Sequence, residues 1–250
     1  MCIAAIAWDA HPRWQLIVAA NRDEFHDRPA APLARWEAES GVIAGRDLRS
    51  GGTWLGVSEH GRLVLVTNYR VEGFPQPERP SRGALVTGLL NGEDPTSIPI
   101  TAYNPFNLLC AAPTGARVIS NYPTDHRAPM LPGVHGLSNG AIANPWPKTR
   151  QLCGGLTEWL EGDSADLSAL LCLLRDDRAV AGDGPEPRLS SVFINDAQYG
   201  TRCSTVVAID RHGRGVITER RFDPQGRESG ETSISFAWPA VGAGDDLQVT

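Results

Sequence analysis

The residue best equipped for chemistry in this 250-residue chain is Cys2. A cysteine following the initiator methionine becomes the first residue once that methionine is removed, as it generally is before small side chains. Its thiol then lies beside its own α-amine. A free α-amine has a reference pKa of about 7.7–8.0, so near neutrality it can act as base toward a nucleophile on the same carbon, with no histidine required. About twenty residues on, Asn21-Arg22-Asp23-Glu24 follows a second apolar segment. If the two segments pair as a hairpin, this tetrapeptide returns to the side of Cys2, where an arginine and two carboxylates could hold the amine, orient the thiol and bind a substrate carboxylate. The same four residues also describe a solvated turn carrying an Arg–Asp pair.

The elements that must position these groups read as sheet, then helices, then sheet again. Two apolar segments between Cys2 and Ala20 flank Asp9-Ala10-His11-Pro12-Arg13, a turn-forming stretch, and predict an opening β-hairpin. Gly41–Gly45, Thr53–Val57 and Leu63–Thr67 are further strand candidates rich in β-branched residues. Ser81 can cap a helix bearing Leu85, Val86, Leu89 and Leu90 on one face, with Gly92 as its stop. Asn107–Ala112 and Ala116–Ser120 form a strand pair around Pro113-Thr114-Gly115. Helical spacing recurs at Leu152, Leu156, Trp159 and Leu160 and again at Leu167, Leu170, Leu171 and Leu174. After a loop from Ala181 to Arg188, strands are predicted over Ser191–Asn195, Cys203–Asp210, Gly215–Phe222 and Thr232–Trp238. This order fits sheets packed face to face with helices outside, and disfavours a parallel doubly wound sheet.

A net charge of −6 with 41% hydrophobic and 21% charged residues describes a chain able to bury a core, which excludes a disordered or collagen-like protein. One domain is expected. The acidic excess leaves no basic footprint for a phosphate backbone, so nucleic acid is not an expected partner. Lys148 is the sole lysine among 23 basic residues, a usage that more often reflects genome base composition than function. The longest apolar runs fall short of the roughly 18 residues that span a bilayer, so no stable membrane insertion is expected. Without a basic segment ahead of the first apolar run, a secretory signal is not expected either. Five cysteines without a CxxC pair predict a reducing compartment and no structural zinc. Gly51-Gly52-Thr53 lacks the lysine and spacing of a phosphate loop and reads as a tight turn. Trp54, after the glycine pair, could line a cleft, while His26 could ligate a metal or haem but more often such a histidine is solvated.

Met1-Cys2-Ile3 with Asn21-Arg22-Asp23-Glu24 strongly resembles the NRDE-motif family, named also for transport and Golgi organisation. Asp47, Ser50–Gly56, Thr67-Asn68-Tyr69-Arg70, Ser81-Arg82-Gly83, Gly136-Leu137-Ser138-Asn139 and Thr201-Arg202 resemble its recurrent segments in the same order. The resemblance implies an α+β fold, a four-layer αββα sandwich of the N-terminal nucleophile hydrolase type, with two mainly antiparallel sheets flanked by helices. It is similar also to choloylglycine hydrolases and penicillin acylases, whose cysteine nucleophile is uncovered by methionine removal, and Cys2 is the matching position. In those relatives an Asp after the second strand supports the cysteine amine, and Asp23 fits. Asn68 resembles their oxyanion-binding asparagine, Asn139 is a second candidate, and Arg202 resembles a late arginine near the nucleophile. Ala20 stands where the bile-salt enzymes carry an arginine, which sets this chain apart from bile-salt hydrolysis.

Together these readings predict a cytoplasmic cysteine amidohydrolase or acyltransferase acting on a small nonpeptide amide or related acyl compound, using no metal or cofactor. Cys2, Asp23, Asn68, Asn139 and Arg202 would carry the chemistry, and Asn21, Arg22, Glu24, Trp54 and Tyr69 would contact substrate. The alternative, from another class, is a non-catalytic protein that binds or traffics haem, lipid or acyl-CoA, with which members of the resembled family have been connected. The oligomeric state stays open.

Overall fold

The structure, a computed structural model, describes residues 2–37, 41–162, 165–181 and 189–239. The chain opens with the antiparallel pair β1 (Cys2–Trp8) and β2 (Trp14–Phe25). It then lays down β3 (Ala30–Arg35), β4 (Val42–Asp47), β5 (Leu55–Ser58) and β6 (Arg62–Asn68), followed by α1 (Arg82–Leu90). Next come β7 (Phe106–Ala112), β8 (Gly115–Ser120) and β9 (His126–Pro129). After β10 (Gly133–Leu137) stand α2 (Pro147–Glu161) and α3 (Ser168–Leu173), and β11 (Tyr199–Asp210), β12 (Arg214–Phe222) and β13 (Glu228–Ala237) follow. Two antiparallel sheets result, ordered β10-β1-β2-β11-β12-β13 and β3-β4-β5-β6-β7-β8-β9.

Strand alternation assigns each face to a core. On β1 and β2, Ala4, Ile6, Trp8, Leu16, Val18 and Ala20 face the second sheet, whereas Ile3, Ala5, Ala7, Ile17 and Ala19 face α2 and α3. Both faces are covered, so these strands read as unbroken apolar runs rather than an alternation. A third core packs α1, through Leu85, Val86, Leu89 and Leu90, against Val64, Val66, Phe106 and Leu108 of the second sheet. Each such fully buried side chain contributes about 1.5–3 kcal/mol. The layers are therefore helix, sheet, sheet and helix, as expected.

The predicted hairpin, the Ser81 cap and both later helical segments are present, with the Ser81 hydroxyl accepting from Gly83 N–H at 3.2 Å. Three differences have physical reasons. β2 does not stop at Ala20 but runs through the polar tetrapeptide, because β11 pairs with it as far as Phe25. Ser191–Asn195 is not a strand: apart from a bridge from Asn195 to Gly200, its backbone groups bond to scattered partners, Phe193 N–H to the Asp176 carbonyl, the Ile194 carbonyl to Thr201 N–H, and the Val192 carbonyl and Ile194 N–H to the Asn21 and Thr201 side chains, instead of to a ladder. β3, β9 and β10 lack a strong apolar pattern and were not predicted; all three are edge strands. Residues 182–188 of the predicted loop lie outside the described residues.

Candidate active site

The β1–β2 register sets Cys2 opposite Arg22, and Arg22 also pairs with Cys203 of β11. Cys2 and Arg22 share the sheet face that looks toward the second sheet, and both line a cleft of about 1360 Å³ that opens there. Asp23 stands one residue beyond the last β1–β2 pair, at the strand end where the backbone nitrogen of Cys2 lies. That nitrogen donates to Asn139 Oδ1 at 3.2 Å. The Asn139 amide in turn donates to the Asn68 carbonyl at 2.6 Å, so one buried side chain ties residue 2 to the end of β6.

Asp23 is 2% exposed and accepts from Thr201 Oγ1 at 2.8 Å. Burial pushes its carboxyl above the ordinary carboxylate range, opposed first by Lys148, then by the chain's terminal ammonium, the Thr201 hydroxyl and Arg22. Burial also pushes the Cys2 thiol up; the terminal ammonium counters this, Asp23 adds to it, and Arg22 and the Asp23 backbone N–H favour thiolate. Arg22 donates to Asp47 Oδ2 at 3.2 Å, and Arg28 reaches the same oxygen. Partial burial would raise Asp47, but hydrogen bonds from Arg28 and the Ser50 N–H, with the Arg22 charge, outweigh it and hold the carboxyl below its usual value. Asp47 thereby fixes Arg22 beside the sulfur.

The structure gathers most of the predicted residues around one cleft and gives several a different task. Cys2, Arg22, Asp23, Glu24, Trp54, Asn68, Tyr69, Asn139 and Arg202 all line it. Asn68 is exposed at the end of β6. Tyr69 stacks on Tyr122 at 5.0 Å between ring centroids. Asn139 was expected to donate to an oxyanion, yet its amide N–H is committed to Asn68 and its oxygen to Cys2. Asn21 was expected to contact substrate, but it is fully buried on the helix side, donating to the Leu174 and Val192 carbonyls and accepting from Ser204. Arg202 braces the end of β2 through the Phe25 and His26 carbonyls at 3.0 and 2.7 Å. Glu24 Oε1 accepts from the Phe25 N–H, and Ala20 lies in the core between the sheets. His26 hydrogen-bonds the Asp196 carbonyl at 2.9 Å. Cys172 is exposed, because that turn of α3 faces outward.

Two groups escaped the sequence reading. Lys148 is 1% exposed and donates from Nζ to the Leu189 carbonyl at 2.9 Å. Its being the sole lysine was the available signal. Arg82 lines the cleft from the first turn of α1 with its guanidinium in the field of Cys2, and burial lowers its pKa. The Gly51-Gly52-Thr53 turn serves packing: Gly51 has φ +79°, and a Cβ on Gly52 would lie 2.3 Å from the Gly83 carbonyl carbon. Only glycine lets this turn meet the start of α1.

This layering of two antiparallel sheets between helices is the fold of the N-terminal nucleophile hydrolases. The chain superposes on the Caenorhabditis elegans ortholog of N-acylethanolamine-hydrolyzing acid amidase with a TM-score of 0.51 and 12% identity, covering 82% of this chain and 92% of that one. A mutant of the conjugated bile acid hydrolase of Clostridium perfringens gives a TM-score of 0.57 and 9% identity, covering 93% and 92%. At such identities the likeness concerns fold alone. The chain belongs to the Transport and Golgi organisation 2 family, whose model matches residues 1–224. It is 34% identical to the Transport and Golgi organization protein 2 homolog of Bos taurus and 32% identical to that of Homo sapiens, in each case over 88% of this chain and 92% of the relative. The Drosophila melanogaster protein is 27% identical, over 90% and 95%.

Proposed function

We propose that this protein is a cysteine N-terminal nucleophile hydrolase or acyltransferase acting on the C–N bond of a small nonpeptide amide or a related acyl compound. One observation carries the reading: the Cys2 nitrogen is held by Asn139 at 3.2 Å beside a buried carboxylate, while Cys2 itself opens on a large cleft. The fold shared with amide hydrolases supports it. After loss of Met1, Cys2 Sγ attacks the acyl carbon and its proton passes to the α-amine. The C–N bond breaks as the α-ammonium returns that proton to the departing amine, leaving a thioester. Water, or an acceptor amine in the transferase, then attacks the thioester, loses its proton to the α-amine, and the thiol is restored. Asp23 retains the amine, Asn139 orients it, and the Asn68 side chain and nearby backbone N–H groups serve the oxyanion. A reducing, cytoplasmic setting keeps the thiol free.

A second reading, ligand binding without turnover, is favoured by the cleft's charge. Nine arginines and five acidic residues line it in a chain of net charge −6, so it attracts anionic ligands such as haem or acyl compounds bearing phosphate. Release of amine from a panel of acyl donors decides between the two. Turnover that disappears in Cys2→Ala supports the enzyme; saturable binding of donors without turnover, unaffected by Cys2→Ala, supports the binding protein.

A further inference from the structure

One buried charge has no part in the chemistry above. Lys148 sits at the second position of α2, on the side of the first sheet that carries Asn21 and Asp23, opposite the side that carries Cys2 and Arg22. Its ammonium donates to a neutral acceptor, the Leu189 carbonyl. A buried ammonium is strongly disfavoured unless a negative charge faces it. The carboxylate within its field is Asp23. Three side chains pin the segment from Leu189 to Ile194: Lys148 at the Leu189 carbonyl, Asn21 at the Val192 carbonyl, and Thr201 at the Ile194 N–H. Thr201 closes the circuit by donating to Asp23.

We propose that Lys148 is a positioning residue of the Cys2 site, the buried counter-ion that keeps Asp23 a carboxylate and so keeps the Cys2 amine in place. The inference rests on the cysteine-nucleophile reading. Asp23 is faced by Lys148 from α2, by Thr201 from β11, by Arg22 of its own strand and by the chain's terminal ammonium. The charge of Asp23, and from across the sheet that of Cys2, act on Lys148. Cys2 is faced by the terminal ammonium, Asp23 and Arg22, and its charge reaches Arg82 of α1 and Cys203 of β11. Burial works against the charged forms of Lys148 and Asp23 alike, and each favours the charged form of the other. Removing either charge therefore weakens the hold on the other.

The sole lysine makes this testable in the intact protein. Protein labelled with ¹³Cε-lysine and carrying a lysine-free tag gives a single lysine resonance, whose midpoint is followed by pH titration. In Asp23→Asn the midpoint should fall by about one pH unit or more, because the ammonium loses its counter-ion. An unchanged midpoint overturns the proposal. Alkylation of Cys2 then reads the positioning role. Lys148→Met should slow it about tenfold in the wild-type background and less than twofold in Asp23→Asn, with Lys148→Arg restoring most of the rate. Equal slowing in both backgrounds, or none, overturns the role, since a lysine that merely supports the fold lowers the melting temperature without this dependence on Asp23. If Lys148→Met does not fold, the Asp23→Asn titration decides alone. If Cys2 is unreactive in the wild type, the nucleophile reading fails, while the titration still reports whether the two charges are coupled.

Discussion

At the scale of single residues, the site separates two asparagines that look alike in sequence. Asn139 has both ends of its amide committed, whereas Asn68 gives its backbone carbonyl to Asn139 and leaves its side chain at the cleft. Once a substrate is found, Asn68→Ala should lower kcat by about 10²–10³ with KM nearly unchanged, because an oxyanion forms only near the transition state. An unchanged kcat would remove Asn68 from the site. The thiols separate in a similar way. Burial raises Cys110 and Cys153 to about 11 and Cys203 well above its ordinary value, so none of these should be labelled near neutrality. Exposed Cys172 is the one competitor among the described residues, and a Cys172→Ala background removes it. With Met1 retained, burial holds the Cys2 thiol above 9.0 and alkylation should rise only at alkaline pH. In the processed chain an ammonium on the same carbon should bring the midpoint down, as alkylation rates against pH would record, and an unchanged profile would count against the site. Cys2 and the tetrapeptide were legible because their residue types are unusual at those positions. The roles of Asn139, Asn21 and Lys148 were not, since each depends on partners tens to more than a hundred residues away in the chain.

At the scale of elements, the Asp47 turn connects β4 to the nucleophile. Its carboxylate accepts from Arg22, Arg28 and the backbone N–H groups of Arg49 and Ser50. Asp47→Asn should cost about 1–3 kcal/mol at neutral pH. Because the folded-state pKa is depressed, this stability is present above the ordinary value of 3.8 and is lost as pH falls through the lower folded value. Urea melts of the two proteins should therefore differ at pH 7 and converge below about pH 4; a gap independent of pH would show that the charge is not what matters. Gly52→Ala should likewise destabilise, by about 2–4 kcal/mol, since its Cβ meets the backbone of Gly83 and not a movable side chain. A melting temperature equal to wild type would show that the α1 start can shift freely. β1 and β6 were readable as unbroken apolar runs, and α1 and α2 from apolar residues at helical spacing. β9 and β10 carry His, Arg, Gly and Pro and owe their pairing to the strands beside them, and the 191–195 segment has strand-like composition yet bonds to scattered backbone and side-chain partners rather than to a ladder. Sequence pattern reports burial well and partner choice poorly.

At the scale of the whole molecule, the two sheets and the start of α1 line a cleft rich in arginine in an acidic protein. Acyl donors carrying carboxylate or phosphate should bind more tightly than neutral analogues, and raising salt from low to physiological strength should weaken only the former. Equal affinities at both salt strengths would exclude electrostatic selection by the cleft. The most direct test of the central claim is the intact mass of natively expressed protein before and after incubation with acyl donors, followed by peptide mapping. The account predicts a chain lacking Met1 that gains a single acyl group on Cys2, with no adduct in Cys2→Ala. Retention of Met1 as the dominant species, or acylation that persists unchanged in Cys2→Ala, would contradict it.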